Sequence, residues 1–322
     1  MTGSASPRPT NLLLTTVSCF ILCVTGFVYI HRLDASTPII IPDHFAVVQR
    51  HNDSKQTRTK FDNEIINTRH ARYVLYGEGR ANKLTTKRLH NYIRSLTSKQ
   101  APGGIRLASK PGRKHFSQIG ASQFVDRLLK GRRQGVFVEC GAADGESLSN
   151  SLFFELHRNW TGVLIEGNPR YYPALLSKNR NAYVVRACLS TITKPQTVKF
   201  KLATYYGGID NKLQTSHIRR FGLASKPSVD VQCFPFTSIT AALGIQHIDY
   251  FSLDVEGPEL EILRTIDWTQ LSIDVITVEY NMNKDKLNRL RSVMKANGTF
   301  TEVGLLGSGQ DVVFMHRPTT AK

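Results

Sequence analysis

VFVECGAADGE, residues 136–146, is a short apolar run that carries one acid and opens onto two glycines four residues apart. Gly131 and Gly135 precede it as turn residues, so Val136–Cys140 reads as a buried strand and residues 141–146 as a strand-to-helix loop. Gly141 and Gly145 allow a tight turn and close approach to a ligand, with no Cβ in the way. The spacing is not the G-x-G-x-x-G of a diphosphate-binding turn. An acid at this point suits a cationic or hydroxyl-bearing ligand better than a phosphate.

Outward from this run the chain alternates. Strands are predicted at 162–166, 182–187, 249–254 and 274–280, and helices at 147–157, 170–179, 238–243, 258–266 and 284–297. Two extended segments, 197–202 and 229–234, flank a glycine-containing loop. Phe300–Leu305 and Asp311–His316 close the chain as a hairpin around Gly307-Ser308-Gly309. Such βα alternation predicts a mostly parallel, doubly wound α/β sheet ending in an antiparallel hairpin. Ligands of these sheets bind beyond the carboxyl ends of the strands, at the topological switch point.

Four strand ends carry acids there. The first holds Glu139; the second reads Leu164-Ile165-Glu166-Gly167-Asn168-Pro169; the third reads Leu253-Asp254-Val255-Glu256-Gly257-Pro258-Glu259; the fourth ends Val278-Glu279-Tyr280-Asn281. A carboxylate just outside the second strand can accept bonds from both hydroxyls of a ribose. The acids of the third invite general-base or metal roles, although no metal is assigned. Each has a plainer reading. Glu139 caps a following helix, Asp254 anchors neighbouring loops, and Glu256 and Glu259 are helix N-terminal charges. His157, His217 and His247 lie at no ligand-like spacing and default to surface or packing roles.

The N-terminal third differs in kind. Residues 1–115 hold 18 Lys/Arg against 6 Asp/Glu, and residues 116–322 hold 24 against 19, so most of the net +17 precedes the domain. Leu12–Ile30 is free of charge and proline over 19 residues, about 29 Å of helix, close to a bilayer core. The reading is a tail (1–11), a single-pass signal-anchor helix (12–30), a basic polar stem (31–115) and a folded domain (116–322). Within the stem, a helix over 80–97 places Leu84, Leu89 and Ile93 on one face. The bases are scattered, with no tight block of like charge, so nucleic acid is not an expected partner. Asn52, Asn159 and Asn297 begin Asn-x-Ser/Thr sequons, the last two in expected helix-to-strand turns. They lean towards a lumenal domain. Five cysteines without a C-x-x-C pair give no zinc site and leave the redox compartment open.

VECGAADGESLSN, WTGVLIEGNP and DYFSLDVEGPELEIL, in this order, resemble the FkbM-type methyltransferases. Within that group they resemble most the animal branch that includes the insect membrane protein Star. The resemblance implies a Rossmann-like fold with a seven-stranded sheet and S-adenosylmethionine as cofactor. It makes Glu139, Gly141 and Gly145 the first cofactor motif and Glu166 the ribose-binding acid. Asp254, Glu256 and Gly257 become the acidic motif facing the transferred methyl group. Relatives in bacteria usually carry Asp where this chain has Glu139, and Asn near Ala143. The resemblance implies one of two functions: an anchored O-methyltransferase of unknown acceptor, or a non-catalytic protein assisting export of secretory-pathway clients from the endoplasmic reticulum.

Overall fold

The computed structural model describes residues 22–24, 27–29, 83–297 and 300–317. Inside the apolar N-terminal run, β1 (Leu22–Val24) and β2 (Phe27–Tyr29) pair antiparallel, with Val24 opposite Phe27. For these six residues the expected continuous helix is corrected. Val24, Phe27, Val28 and Tyr29 are β-branched or aromatic residues, types that favour extended backbone. The rest of 12–30 lies outside the described residues. Among the described residues no helix is long and apolar enough to cross a membrane.

The predicted boundary at residue 115 falls inside the folded unit. The helix expected in the stem forms as α1 (Lys83–Ser95), with Ile93 fully buried in the core. After it, β3 (Thr97–Ser98) joins the sheet as an antiparallel edge. Farther on, the backbone N–H groups of Ala108 and Ser109 donate to Glu146 at 2.8 and 2.7 Å, and Lys178 pairs with the same carboxylate. Burial alone would raise Glu146; Lys178 and those donors instead hold it down to about 2. Short-range pattern hides this association, because the partners are 32 to 38 residues apart.

The remaining elements follow the expected alternation. They are α2 (Ala121–Leu128), β4 (Val136–Cys140), α3 (Leu152–Arg158), β5 (Thr161–Glu166), α4 (Tyr172–Ser177), β6 (Ala182–Arg186) and β7 (Cys188–Leu189). Next come β8 (Gln196–Lys201), α5 (Thr215–Arg220), β9 (Ser228–Phe234), α6 (Phe236–Leu243), β10 (His247–Leu253) and α7 (Glu259–Thr265). β11 (Ser272–Glu279), α8 (Lys284–Ala296), β12 (Phe300–Leu306) and β13 (Asp311–His316) complete the chain.

The main sheet has the order β12-β13-β11-β10-β4-β5-β6-β3, eight strands rather than seven because β3 is added at the edge. β6, β5, β4, β10 and β11 are mutually parallel, and β13 runs antiparallel to β11. Successive residues of each central strand serve opposite layers, as a period of two requires. Val138, Ile165, Phe251 and Ile276 pack under α1, α6, α7 and α8; Phe137, Leu164, Tyr250 and Val275 pack with α2, α3 and α4. Chain order reverses between β4 and β10, so the switch point lies at the ends of these two strands.

A second, three-stranded sheet, β7-β9-β8, is stapled by a Cys188–Cys233 disulfide, while Cys140 is free and buried.

Candidate active site

At the switch point the loop after β4 crosses the loop after β10. Gly141 has φ +83°, and a Cβ there would stand 1.8 Å from the Asp254 carbonyl oxygen, so no other residue fits the crossing. The backbone N–H groups of Gly141 and Ala142 donate to the Ile165 carbonyl, tying the same loop to β5. Gly145 also has positive φ, and its carbonyl accepts from Arg180.

The helix expected from Ser147 starts five residues later. Asp144 accepts from the N–H groups of Glu146 and Ser147, and Leu148 has φ +61°, so carboxylates hold this backbone outside a helix. Glu139 continues the pattern. Its Oε1 accepts from Asn150 N–H at 2.7 Å, and its Oε2 accepts from the hydroxyls of Ser149 and Ser151. These are contacts of the capping kind that the sequence left open beside ligand binding. Arg180, fully buried, ties the segment down from the other side through Glu155 at 2.7 Å and the Ser151 hydroxyl at 3.1 Å. Nothing in the sequence marked Arg180, which precedes β6 without a motif.

Glu166 ends β5 and is buried. Its two oxygens accept from Ala143 N–H at 2.7 Å and Asn168 N–H at 2.6 Å. Burial pushes its carboxyl up to about 7, against the lowering pull of these backbone donors. A carboxylate has about four acceptor positions, so even with the Gly167 N–H also acting on it some capacity remains for a hydroxyl donor. Tyr171 acts electrostatically on the same neighbourhood, its hydroxyl pushed up by burial and by Tyr205, Glu166 and Asp144. Tyr171 and Tyr205 stack with ring centroids 5.9 Å apart, and Tyr205 is exposed.

Beyond β10 lies a denser group of acids. One carboxylate oxygen each of Asp254, Glu256 and Glu279 falls within 4.8 Å of the others. Burial, then repulsion from Glu256, pushes Asp254 well above the usual carboxylate range. Glu279 is raised by burial and by Asp254. Glu256 is raised by burial, with His217 opposing. Its backbone is left-handed, φ +63°, uncommon for a side chain of this size and the kind of strain found at functional sites.

Glu259 has the structural role considered for it: Oε1 accepts from Val255 and Gly257 N–H, and Oε2 pairs with Lys286. Glu256 does not behave as a mere helix charge, because its Oε2 bonds His217 Nδ1 at 2.9 Å. His217 comes from α5, in the insertion between β8 and β9, where Tyr206 and Phe221 stack at 3.6 Å beside it. The sequence left His217 to surface or packing and placed Glu279 at the fourth strand end without a role. A histidine 39 residues from its carboxylate partner leaves no spacing signal.

Residues 139–300, half of the chain, match the methyltransferase FkbM domain. The chain belongs to the FkbM methyltransferase family. No curated protein matches it. Among solved structures, the FkbM methyltransferase of Methylobacillus flagellatus is 12% identical with a TM-score of 0.36, covering 79% of this chain and 60% of its own. Precorrin-6y C5,15-methyltransferase of Geobacter metallireducens is 13% identical at a TM-score of 0.35, covering 65% and 94%. Aeropyrum pernix fibrillarin, solved with S-adenosylmethionine, is 11% identical at 0.32, covering 64% and 85%. Nothing about this chain rests on likeness that slight.

The methyl donor of a domain in this family is S-adenosylmethionine, and the residues here fit it. Glu166 keeps acceptor capacity for ribose hydroxyls, the Tyr171–Tyr205 pair offers a ring face for a base, and the acids after β10 complement a sulfonium charge.

Proposed function

We propose that this chain is a membrane-attached, S-adenosylmethionine-dependent O-methyltransferase acting on an unidentified hydroxyl-bearing acceptor. The supporting observation is the convergence of Glu166, Asp254 and the Glu256–His217 pair on one switch point, from strand ends and an insertion far apart in sequence. When bound, the cofactor supplies an electrophilic methyl group on a sulfonium. Glu166 would hold its ribose hydroxyls, and Asp254 would complement its positive charge. Glu139 acts by holding the loop that contains Gly141 and Gly145. Glu256 orients the His217 ring through Nδ1, leaving Nε2 to take the acceptor's hydroxyl proton as its oxygen is methylated. Holding these groups together supplies most of the acceleration.

The test is calorimetric titration of the full chain in detergent with S-adenosylmethionine. Saturable binding is expected. Its absence at millimolar cofactor sinks the enzyme reading and favours a trafficking protein of the Star kind.

Location is part of the same proposal. Anchoring rests on the uncharged Leu12–Ile30 run. Support for a lumenal domain comes from the Cys188–Cys233 disulfide and from Asn159, exposed at the end of α3 in a sequon. Removal of residues 1–31 should release the protein from carbonate-washed membranes. Glycosidase-sensitive mobility lost in Asn159→Gln would place the domain in the lumen; protease access outside sealed vesicles would place it outside.

A further inference from the structure

Five acids gather around the end of β10. Glu256, Asp311 and Glu259 repel Asp254, and Asp254, Glu256 and Glu259 repel Glu279. Among the described residues the cation that faces them is Lys286, paired with Glu259; His217 bonds Glu256 through Nδ1. That leaves an excess of negative charge in a mostly buried place, which is costly without a counter-charge. A second observation points into the cluster. Glu279 is 8% exposed, and its Oε2 is buried with no hydrogen-bond partner among the described residues. Two residues on, Asn281 Nδ2 is also buried without one. An amide's nitrogen and oxygen exchange places by a half-turn of the amide plane, so this group can equally offer an oxygen. Asn281 and Met282 carry φ of +52° and +57°, two consecutive left-handed residues at the end of β11.

We propose that Asp254, Glu256 and Glu279 form a binding site for one hard divalent cation of the magnesium, manganese or calcium class. The ligand atoms are all oxygen, and no cysteine takes part. Oxygens on opposite sides of such an ion stand about 4–5 Å apart, given ligand distances of roughly 2.0–2.6 Å. The carboxylate oxygens here already lie within 4.8 Å of one another. Glu256 keeps Oε1 for the ion while Oε2 holds His217. Three carboxylates leave open positions for oxygen atoms of an acceptor, so the acceptor class narrows to molecules with a chelating hydroxyl, such as a diol. That narrowing rests on the methyltransferase reading; the ion site does not.

The probe is Mn²⁺ alone, added to the full chain in detergent and followed by calorimetry and by the paramagnetic resonance of free Mn²⁺. Saturable binding of one ion per chain is expected, weakened at least about tenfold in Glu279→Gln and in Asp254→Asn. Asp274→Asn, in a separate acid group at the opposite ends of the same strands, should leave it unchanged. Circular dichroism reports folding, and either of the two site variants suffices if the other misfolds. No saturable binding in the wild type, or equal binding in a folded Glu279→Gln or Asp254→Asn protein, overturns the site. S-adenosylmethionine titrated without metal tests the methyltransferase reading separately, so either can fail alone.

Discussion

β10 and β11 each carry an acid near both ends, and the two ends neutralise them differently. At the amino ends Asp249 and Asp274 share Arg132, whose guanidinium bonds both, and His247 lies 3.7 Å from each. Asp249 also accepts from Val136 N–H at 2.7 Å, so this group fastens β4 to β10. At the carboxyl ends no arginine among the described residues bonds Asp254 or Glu279, and Lys286, which opposes both, is paired with Glu259. Glu279 Oε2 has no partner among the described residues, and both acids are pushed above the ordinary range. An acid pair that brings its own cation is structural. One that leaves its charge unanswered is suited to receive a ligand, and Glu166, answered by backbone N–H groups, stands between the two.

The comparison breaks most readily at Asp254. Asp254→Asn should lower methyl transfer about a hundredfold or more, the scale of losing a group that acts on transition-state charge. Melting temperature should stay level or rise, since a buried carboxylate's repulsion is relieved. A fall in melting temperature comparable to that of Arg132 variants would erase the distinction between the two ends.

Glu166 comes next. Glu166→Ala should weaken S-adenosylmethionine binding more than about tenfold, since a charge-assisted hydrogen bond is worth ~1.5–3 kcal/mol and two do not add fully. The same acid gives a pH test. With its carboxyl at about 7 in the free protein, it is mostly neutral at about pH 6 and mostly charged at about pH 8. Affinity should therefore fall roughly tenfold from about pH 8 to about pH 6, and this dependence should vanish in Glu166→Ala. Stability runs the other way. An acid raised by folding binds more protons folded than unfolded, so its contribution to stability falls as pH rises from ~4.5 to about 7.

Arg132→Leu is the smallest effect. Removing the shared cation should cost about 1–2 kcal/mol in urea unfolding, less than for a fully buried pair because the Arg132 side chain is 41% exposed. Cofactor affinity should not change. A large loss of affinity would join the two ends that the comparison separates.

Much of the fold was legible because its signals are local. The β4, β5, β10 and β11 runs, their terminal acids, and the closing hairpin around Gly307–Gly309 depend on near neighbours, and each forms within a few residues of its expected bounds. The start of α3 was misplaced because Glu139 and Asp144 capture the backbone that the 3.6-residue pattern assigned to its first turns.

By itself the sequence determined the strand-end acids and the glycine at the β4–β10 crossing, since both are set by residue type next to a buried run. Tertiary structure decided everything that needed a distant partner. It brought Ala108 and Ser109 onto Glu146 and so moved the domain boundary back through the predicted stem. It bonded Cys188 to Cys233 across 45 residues, carried His217 to Glu256, and set Glu279 beside Asp254 through the parallel register of β10 and β11. Charge and hydrogen bonding act over a few ångströms of space, and separation along the chain says little about which groups will share them.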